Sequence, residues 1–269
     1  MLPLIVVPDM DPIALQIGSL KVYWYGIAYV VGIGLGWAFA RLSNGFHENQ
    51  LPIHSIDDLI FYTALGAVLG GRIGYCLFYD FQSLSENPLL IFAIWKGGMS
   101  FHGGFLGAAT SIIIFSKLTD NGFFDLSDRI VVSVPIGLFF GRIANFINQE
   151  LWGTPSELPW AMIFSNPLAG GVARHPSQLY EALLEGLILF IVLIYILKKG
   201  CRSGVLTAYF LFLYGIFRFT VEFFRQPDSH LGYFFGGNLT LGQILTIPML
   251  ILGLFLIFFL RLQNRRREN

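Results

Sequence analysis

The residue types that can do chemistry are concentrated in one 13-residue stretch of this chain, Gly141–Gly153. Its polar members, all within or at the edge of a long apolar segment, are Arg142, Asn145, Asn148, Gln149 and Glu150. An ionised group near the centre of a bilayer costs about 2.5–3.5 kcal/mol on insertion scales, so it requires a partner, a wet cavity or a ligand. Five polar residues so close together therefore indicate a site.

Further polar groups interrupt other apolar segments. Tyr214, Arg218 and Glu222 are spaced by four, which places them on one face of a helix, and Arg225 follows them. His102 stands among glycines, and Tyr25 follows a tryptophan. These residues join Arg142 as the candidates for a functional site.

Each group also has a structural explanation. Arg142, Asn145 and Gln149 share one face of a predicted helix, and such a face can form a hydrogen-bond network between membrane helices. Arg218 and Glu222 can neutralise each other within one helix. A single His is often a hydrogen-bonded core residue, and a Tyr such as Tyr25 suits the aromatic belt at a membrane surface. We favour a site because arginine is a costly choice for adhesion alone.

The combined residue types indicate phosphate chemistry. Arginine offers a rigid fork of donors that matches phosphate oxygens, and at low dielectric it stabilises charge that develops on a phosphate leaving group. Histidine, with an ordinary pKa near about 6.5, suits deprotonation of a thiol with a pKa near about 8.5. A phospholipid headgroup is the natural anionic substrate for such residues in a membrane.

The composition places the chain among membrane proteins. It has 269 residues, 55% hydrophobic and 13% charged, whereas a soluble domain carries about 25% charged residues. Runs of about 20 apolar residues predict spanning helices, and the short run Leu89–Trp95 predicts an interfacial or re-entrant piece. We therefore predict an all-α polytopic membrane protein with one domain over residues 1–269 and about seven spans: 19–41, 56–78, 99–117, 130–148, 177–197, 204–224 and 239–261.

The distribution of basic residues predicts the orientation. With the N-terminus outside, the inner connections hold ten Lys and Arg and the outer segments hold four. Because cytoplasmic loops are enriched in these residues, we expect the N-terminus outside and the C-terminus in the cytoplasm. The first 20 residues lack the basic start and cleavage site of a signal peptide, so we expect the first span to be retained. Residues 149–176, rich in Pro and Gly, should form an ordered loop or cap on the outer face.

Several classes of partner are disfavoured. The net charge is zero, with 17 basic and 17 acidic residues, so bulk charge predicts no nucleic-acid partner. The five histidines are scattered and no zinc-binding motif is present, so we expect no metal. Cys76 and Cys201 lie at different predicted depths and should not pair. Many glycines are spaced by four and predict close helix contacts: Gly32/Gly36, Gly66/Gly70, Gly103/Gly107 and Gly137/Gly141.

Five motifs resemble those of the prolipoprotein diacylglyceryl transferase family, and they follow the family's order over nearly the whole chain. They are Trp24-Tyr25-Gly26, His102–Gly107, Gly141–Gly153, His175–Glu181 and Arg218–Asp228. The resemblance implies transfer of the diacylglyceryl group of phosphatidylglycerol to the thiol of the lipobox cysteine in a prolipoprotein signal peptide. The products are a thioether and glycerol-1-phosphate, and no cofactor is implied. The enzyme would act in the bacterial cytoplasmic (inner) membrane, with its active site toward the outer face.

The resemblance also implies roles for individual residues. Arg142 and Arg218 would bind and neutralise the headgroup phosphate, with Glu222 orienting Arg218. His102 would be the base for the thiol and Tyr25 a neighbouring donor, although a Tyr–Arg pair or the substrate's own surroundings would also generate a thiolate. The residues that would complete the phospholipid site are Asn145, Glu150, Gly153, Tyr214 and Arg225.

Two other functional classes use similar residues. A transporter or flippase of an anionic lipid or solute also needs arginine within the membrane, but such proteins usually have matched halves with broken helices, and only Gly97-Gly98 suggests a break here. An intramembrane serine protease would need an activated Ser. Ser100 is two residues from His102, so on one helix the two side chains point apart. Both alternatives are weaker than the transferase.

Overall fold

Helices make up most of the structure. The computed structural model describes residues 5–93, 97–227, 233–234 and 239–268. The α-helices in order are Trp24–Ser43 (α1), Ile53–Phe78 (α2), Phe81–Glu86 (α3), Phe101–Thr119 (α4), Phe123–Ile147 (α5), Ser177–Glu181 (α6), Leu189–Lys198 (α7), Val205–Val221 (α8) and Leu241–Glu268 (α9). A π-helix, Ala182–Ile188, joins α6 to α7, so residues 177–198 are helical throughout.

Most of these helices have the length and composition of membrane spans. Among the described residues, six helices are apolar and long enough to cross a bilayer when 177–198 is taken as one helix, and α8 is a shorter apolar helix of 17 residues. Lipid offers no hydrogen-bond partners to the backbone, and an α-helix pairs its own N–H and C=O groups internally. The chain is therefore an all-α polytopic membrane protein, as the sequence predicts.

The predicted ends of several spans differ from the observed ends. The first helix begins at Trp24, because the preceding residues form a hairpin, and α5 begins at Phe123, seven residues earlier than predicted. The predicted interfacial piece contains a 3-10 helix, Pro88–Phe92, while residues 94–96 lie outside the described ranges. Span ends are the least certain part of a hydropathy pattern, because the apolar composition changes gradually there.

Short strands complete the described chain. Ile13–Ile17 (β2) pairs with Leu20–Tyr23 (β3) as an antiparallel hairpin directly before α1. Ile5–Val6 (β1) lies parallel to Met162–Ile163 (β4), which is antiparallel to Ala173–Arg174 (β5). A third pair is Tyr233–Phe234 (β6) with Leu239–Thr240 (β7). The small sheet β1-β4-β5 and the loop 148–176 form what we call the cap, which has its own buried core of Val7, Phe164 and Ala169.

The chain divides into two compact units. The larger unit comprises residues 1–39, 46–48 and 131–269, and the smaller comprises residues 40–45 and 49–130. The core of the larger unit contains Leu189, Leu193 and Leu197 from α7 and Leu206, Phe210 and Leu211 from α8. Burial of leucine and phenylalanine on both helices holds α7 against α8, the helix that carries Arg218.

The smaller unit depends on glycine contacts between α2 and α4. A Cβ on Gly70 would overlap the carbonyl oxygen of Gly103, and one on Gly107 would overlap that of Gly66. The predicted close approach of these glycines is therefore confirmed, and it brings two backbones together as small residues do in membranes. In the larger unit Gly32 meets Gly137, whereas the space around Gly141 is open and the prediction for that glycine is wrong.

Arg72 lies within α2 and is buried in the smaller unit. Its guanidinium donates to the backbone oxygens of Gly97, Gly98 and Leu90, the last at 2.6 Å. The backbone N–H of Ser100 donates to Gly71 O at 2.9 Å, and Ser100 caps the start of α4. This buried arginine therefore fixes the chain that leads into α4 and satisfies carbonyls that lipid would leave unpaired.

Candidate active site

Arg142 and Arg218 meet the same carboxylate from two different helices. Arg142 Nε lies 3.1 Å from Glu181 Oε2, and Arg218 Nη1 donates to Glu181 Oε1 at 2.5 Å. Glu181 is fully buried and comes from α6, whereas the arginines come from α5 and α8. One carboxylate therefore fixes the separation of the two guanidiniums.

Two further glutamates and one arginine extend the network. Arg218 Nη2 lies 2.7 Å from Glu222 Oε2, and Arg225 Nη1 lies 3.9 Å from the same oxygen. Glu185 is fully buried and lies 3.7 Å from both Arg142 and Arg218. The structure thus contains the expected Arg218–Glu222 pair, but as part of a six-residue ion network and not as an isolated pair.

A π-helix positions the glutamates of the network. Residues 182–188 form i to i+5 hydrogen bonds directly after Glu181, and Glu185 lies inside this segment. Such segments are rare and are frequent at functional sites. Glu185 is followed by Gly186, where a Cβ would lie 2.7 Å from Phe139 Cβ on α5. The glycine thus allows the π-helix to approach the helix that carries Arg142.

Glu222 is held from a third direction. Its Oε1 accepts a hydrogen bond from Thr240 Oγ1 at 3.0 Å. A Cβ on Gly242 would lie 2.5 Å from that oxygen, so only glycine leaves room for the carboxylate at the start of α9. Thr240 in turn receives and gives hydrogen bonds with Gln243, at 3.2 and 3.0 Å. The orientation of Glu222, and through it of Arg218, therefore depends on the start of α9.

The end of the Gly141–Gly153 motif packs against α6. Asn145 Nδ2 donates to Glu150 Oε1 at 2.8 Å, and Gln178 Nε2 donates to the Glu150 carbonyl oxygen at 2.7 Å. Gly153 pairs with Arg225 through a β-bridge, and a Cβ there would overlap Phe224 O. The loop after α5 and the segment after α8 are thereby held together, which places Arg225 beside the network.

One assignment made from the sequence is wrong. Gln149 does not share a helix face with Arg142, because α5 ends at Ile147 and Gln149 has a φ of 50°. Its side chain instead accepts a hydrogen bond from the backbone N–H of Ser165 at 2.6 Å, and so stabilises the cap. Ser177 is the first residue of α6, and its hydroxyl donates to Leu151 O. Both side chains form hydrogen bonds with backbone groups, and a helix pattern in the sequence does not predict such bonds.

Two tyrosines on α1 are linked to each other. The hydroxyl groups of Tyr25 and Tyr29 lie 3.4 Å apart, and Tyr29 interacts electrostatically with Arg142 and Glu150. Tyr29, which we did not select from the sequence, thus lies beside Tyr25 and within electrostatic range of Arg142. Tyr214, a selected residue, is buried and interacts electrostatically with Glu185 and Arg218.

His102 lies in the smaller unit. It is in the first turn of α4, exposed, with its ring 5.5 Å from that of Phe101 in an edge-on arrangement. The other selected residues, from Tyr25 to Arg225, belong to the larger unit. Asp228, the last residue of the Arg218 motif, lies outside the described ranges.

An apolar cavity of about 330 Å³ is lined by residues of the cap, of the helix 177–198 and of the end of α8. Its lining includes Leu184, Val221 and Phe224, each directly before a charged member of the network. His175 and Tyr180 also line it, and His175 Nδ1 lies 3.2 Å from Tyr180 Oη.

Burial lowers the pKa of His175, so the imidazole is neutral near pH 7. Burial, followed by the nearby positive charge of Arg218, also lowers the pKa of Arg225.

Sequence reasoning did not select the two central glutamates as site residues. Glu181 ends the His175–Glu181 motif, and its burial among three arginines was not predicted. Glu185 follows it by four, on a run that otherwise reads as apolar, and that spacing is the signal that would have paired it with Glu181. Two acidic residues in one predicted span require a counter-charge, and two other spans supply arginines.

The network has the chemistry of an anion site. Arginine forks recognise phosphate and carboxylate oxygens, and charge-assisted hydrogen bonds strengthen at low dielectric. Across the described ranges, no three His, Cys, Asp or Glu side chains are grouped as metal ligands. Together with the helices, the network defines a multi-pass membrane protein built around three buried glutamates and the partly buried arginines that pair with them.

Comparison with known protein families agrees with this class. The model of the prolipoprotein diacylglyceryl transferase family matches residues 12–259. The chain therefore belongs to the prolipoprotein diacylglyceryl transferase family, and it is a membrane transferase.

Its relatives include phosphatidylglycerol–prolipoprotein diacylglyceryl transferases from several bacteria. The protein of Methylococcus capsulatus (strain Bath) is 49% identical over 251 residues, which is 93% of this chain and 95% of the relative. That of Coxiella burnetii (strain RSA 331) is 48% identical over 94% of this chain and 96% of its own length. That of Pseudomonas savastanoi pv. phaseolicola is 49% identical over 93% of both chains. The similarity thus extends over nearly the full length of each chain.

Proposed function

We propose that the protein transfers the diacylglyceryl group of phosphatidylglycerol to the thiol of the lipobox cysteine in a prolipoprotein signal peptide. This reaction forms a thioether and releases glycerol-1-phosphate. The observation that carries the proposal is the shared, fully buried carboxylate of Glu181, which holds the partly buried Arg142 and Arg218 together. The names of the relatives supply the two substrates.

The chemistry requires stabilisation of a leaving phosphate. The sulfur of the lipobox cysteine forms a bond to the glyceryl carbon, and the bond from that carbon to the phosphate oxygen breaks. The electron pair of the broken bond moves to the phosphate, whose negative charge increases. Guanidinium groups on Arg142 and Arg218 hydrogen-bond to the phosphate oxygens as this charge develops, so they lower the energy of the transition state.

The remaining residues of the larger unit shape the headgroup site. Glu222 orients Arg218, and Arg225 adds a third positive charge beside it. Asn145 at the end of α5, with Glu150 and Gly153 in the loop that follows it, forms one wall, and Tyr214 lines the side formed by α8. Tyr25 acts as a hydrogen-bond donor next to the reacting groups, through its contact with Tyr29.

His102 is the proposed base for the cysteine thiol. A neutral imidazole accepts the thiol proton, and the resulting thiolate is the nucleophile. Its exposed position at the start of α4 suits a residue that must meet a peptide substrate. The protein lies in the bacterial inner membrane with its N-terminus outside, its C-terminus in the cytoplasm and its active site toward the outer face, where a translocated signal peptide arrives.

A reconstituted assay tests the function. Purified protein in phosphatidylglycerol vesicles is given a lipobox peptide, and glycerol phosphate release and peptide mass are followed together. Wild type should release one glycerol phosphate for each peptide that gains a diacylglyceryl group, and Arg142→Ala should abolish both. Arg41→Ala, which removes an exposed arginine paired with Asp57 at 3.3 Å, is the matched control and should retain activity. Intact lipid with an unmodified peptide, from folded wild-type protein, contradicts the proposal and favours transport.

A further inference from the structure

Glu185 has the least satisfied carboxylate of the ion network. It is fully buried, and neither carboxylate oxygen accepts a hydrogen bond among the described residues. Its closest charged groups, on Arg142 and Arg218, are 3.7 Å away. Glu181 holds the same two arginines at 3.1 and 2.5 Å. A buried carboxylate without hydrogen bonds is energetically costly, so its presence calls for a role.

The network is formally neutral when all of its members are ionised. It contains three arginines, at positions 142, 218 and 225, and three glutamates, at positions 181, 185 and 222. A phosphodiester headgroup brings one additional negative charge into this low-dielectric site. An uncompensated buried charge is far more costly than a proton taken from water, so one acid of the network must become neutral.

The positions of the three glutamates identify that acid. Glu181 accepts a 2.5 Å hydrogen bond from Arg218, and Glu222 lies 2.7 Å from the same guanidinium and accepts from Thr240. Glu185 has only the two 3.7 Å ion pairs, so its charged form is the least stabilised. A phosphate that engages Arg142 and Arg218 weakens those two pairs as well.

Several charged or titratable groups surround Glu185, and they determine its protonation. Arg142 faces it from α5, and Arg218 and Tyr214 face it from α8. Glu181 precedes it by one turn, and Arg225 acts on it from the segment after α8. Burial has the largest effect and disfavours the ionised form in the empty site, and Glu181 disfavours it too, whereas the arginines favour it. A bound anion would act in the same direction as Glu181.

We propose that Glu185 takes up one proton from water when a phosphodiester headgroup binds to Arg142 and Arg218. The inference rests on the proposed function, because it takes the phospholipid headgroup as the ligand. No covalent bond changes other than the O–H bond formed on the Glu185 carboxyl. The site thereby remains neutral in both states, and Glu185 acts as a specificity-determining residue that couples headgroup affinity to pH.

The sign of the pH dependence follows from this coupling. Because binding takes up a proton, headgroup affinity must fall as the pH rises, by up to tenfold per pH unit where Glu185 is ionised in the empty site. The probe is glycerophosphoglycerol, the deacylated headgroup, because a phosphodiester keeps one negative charge throughout this range. A pH dependence of its binding to the detergent-solubilised protein therefore originates in the protein.

Glu185→Gln is the decisive variant. It keeps the shape of the side chain but cannot ionise, so its affinity should be independent of pH within about threefold between pH 6 and 8.5. At pH 8.5 it should bind the probe at least tenfold more tightly than wild type. Glu157→Gln, in an exposed part of the cap, is the control and should retain the wild-type slope. A wild-type slope in Glu185→Gln, or a wild type without any slope, overturns the inference.

A measurement on the wild type alone tests the inference even if Glu185→Gln fails to fold. Calorimetric titration with the probe in two buffers of different ionisation enthalpy gives the number of protons exchanged on binding. At pH 8 we expect uptake of close to one proton per headgroup. Zero uptake, proton release or no binding at any pH overturns the inference. The proposed function depends separately on wild-type turnover of phosphatidylglycerol, so the two can fail independently.

Discussion

Arg142 and Arg218 approach Glu181 through different nitrogens, and this geometry distinguishes the proposed role from a simple need for positive charge. Arg142 uses Nε for Glu181, and its Nη2 lies 3.7 Å from Glu185 Oε2. Arg218 uses one terminal nitrogen for Glu181 and the other for Glu222. A lysine has one point of charge and cannot hold a carboxylate and a phosphate in fixed directions together.

We therefore expect Arg142→Lys to lose most of its activity. The charge remains, but the fork does not, and removal of one positioned donor from a charged transition state costs about 10²–10³-fold in kcat. Turnover of phosphatidylglycerol with a lipobox peptide measures the loss. Arg41→Lys, at an exposed ion pair, should remain within about twofold of wild type. Near-native activity of Arg142→Lys contradicts the role of its fork.

His102 gives a prediction about the thiol. If its imidazole removes the thiol proton, His102→Gln should lower turnover by about 10²-fold, the lower range for loss of a positioned base. The deficit should be smallest at high pH, where hydroxide ionises more of the thiol. Turnover of wild type and variant between pH 6 and 9 measures the effect. Full activity of His102→Gln across this range excludes the imidazole as the base.

His175 gives a prediction about stability. Burial lowers its pKa in the folded protein below the ordinary value near 6.5, so the unfolded state binds more protons at mildly acidic pH. This contribution to stability is present above about pH 6.5 and is lost as the pH falls below that value. The Tm of the detergent-solubilised wild type should therefore decrease from pH 7.5 to 5.5. His175→Gln should reduce that decrease, whereas His54→Gln, on the exposed side of α2, should not. An unchanged pH profile in His175→Gln contradicts the assignment.

At the residue scale, the sequence predicted the arginines better than the glutamates. Arg142 and Arg218 interrupt apolar runs, and the cost of a charge in a bilayer marks them. Glu181 lies in a polar turn that also reads as the start of a helix, so its role required the positions of α5 and α8. Glu185 becomes informative only when its distance from both arginines is known.

The element that organises the site is the helix formed by residues 177–198. Its π segment inserts a wider turn between α6 and α7, so Glu181 and Glu185 both point toward the arginines while Leu189 and Leu193 remain in the core. Gly186 is the contact point of that segment with α5. The local shape of the network therefore depends on how closely the π segment approaches Phe139.

Gly186→Ala tests this element. The added methyl group would lie 2.7 Å from Phe139 Cβ and 2.9 Å from Phe139 Cα, so α5 or the π segment must shift. We expect a stability loss of about 1–3 kcal/mol, typical of overpacking, together with a larger loss of turnover because Glu185 moves relative to Arg142. Gly34→Ala, on α1 with open space around it, is the matched control. Wild-type Tm and turnover in Gly186→Ala contradict the close contact.

Elements differ in how far the sequence predicts them. The long helices are predictable because lipid requires about 20 apolar residues and internal hydrogen bonds in each span. The π segment is not, since the sequence Ala182–Ile188 is equally compatible with an α-helix. The pairing of β1 with β4 is not either, because two-residue strands have no alternation and their partners are more than 150 residues apart. Such contacts depend on tertiary structure.

At the scale of the whole molecule, the remaining prediction concerns the orientation of the protein in the membrane. Ten of the 17 basic residues lie in the connections assigned to the cytoplasm, including Lys199 after α7. The cap carries Pro and Gly turns and a small sheet, and its loop continues from the end of α5 into α6. Because positively charged loops remain in the cytoplasm, the cap should face outward.

Labelling of introduced cysteines measures this orientation. In a background without Cys76 and Cys201, Glu157→Cys places a thiol on the exposed cap and Lys199→Cys places one after α7. A membrane-impermeant maleimide should label Glu157→Cys in intact spheroplasts and Lys199→Cys only after permeabilisation. Turnover of each variant in membranes confirms that it is folded. Labelling of Lys199→Cys in intact spheroplasts would reverse the orientation and place Arg142, Arg218 and Glu181 near the end of the spans that a translocated signal peptide does not reach.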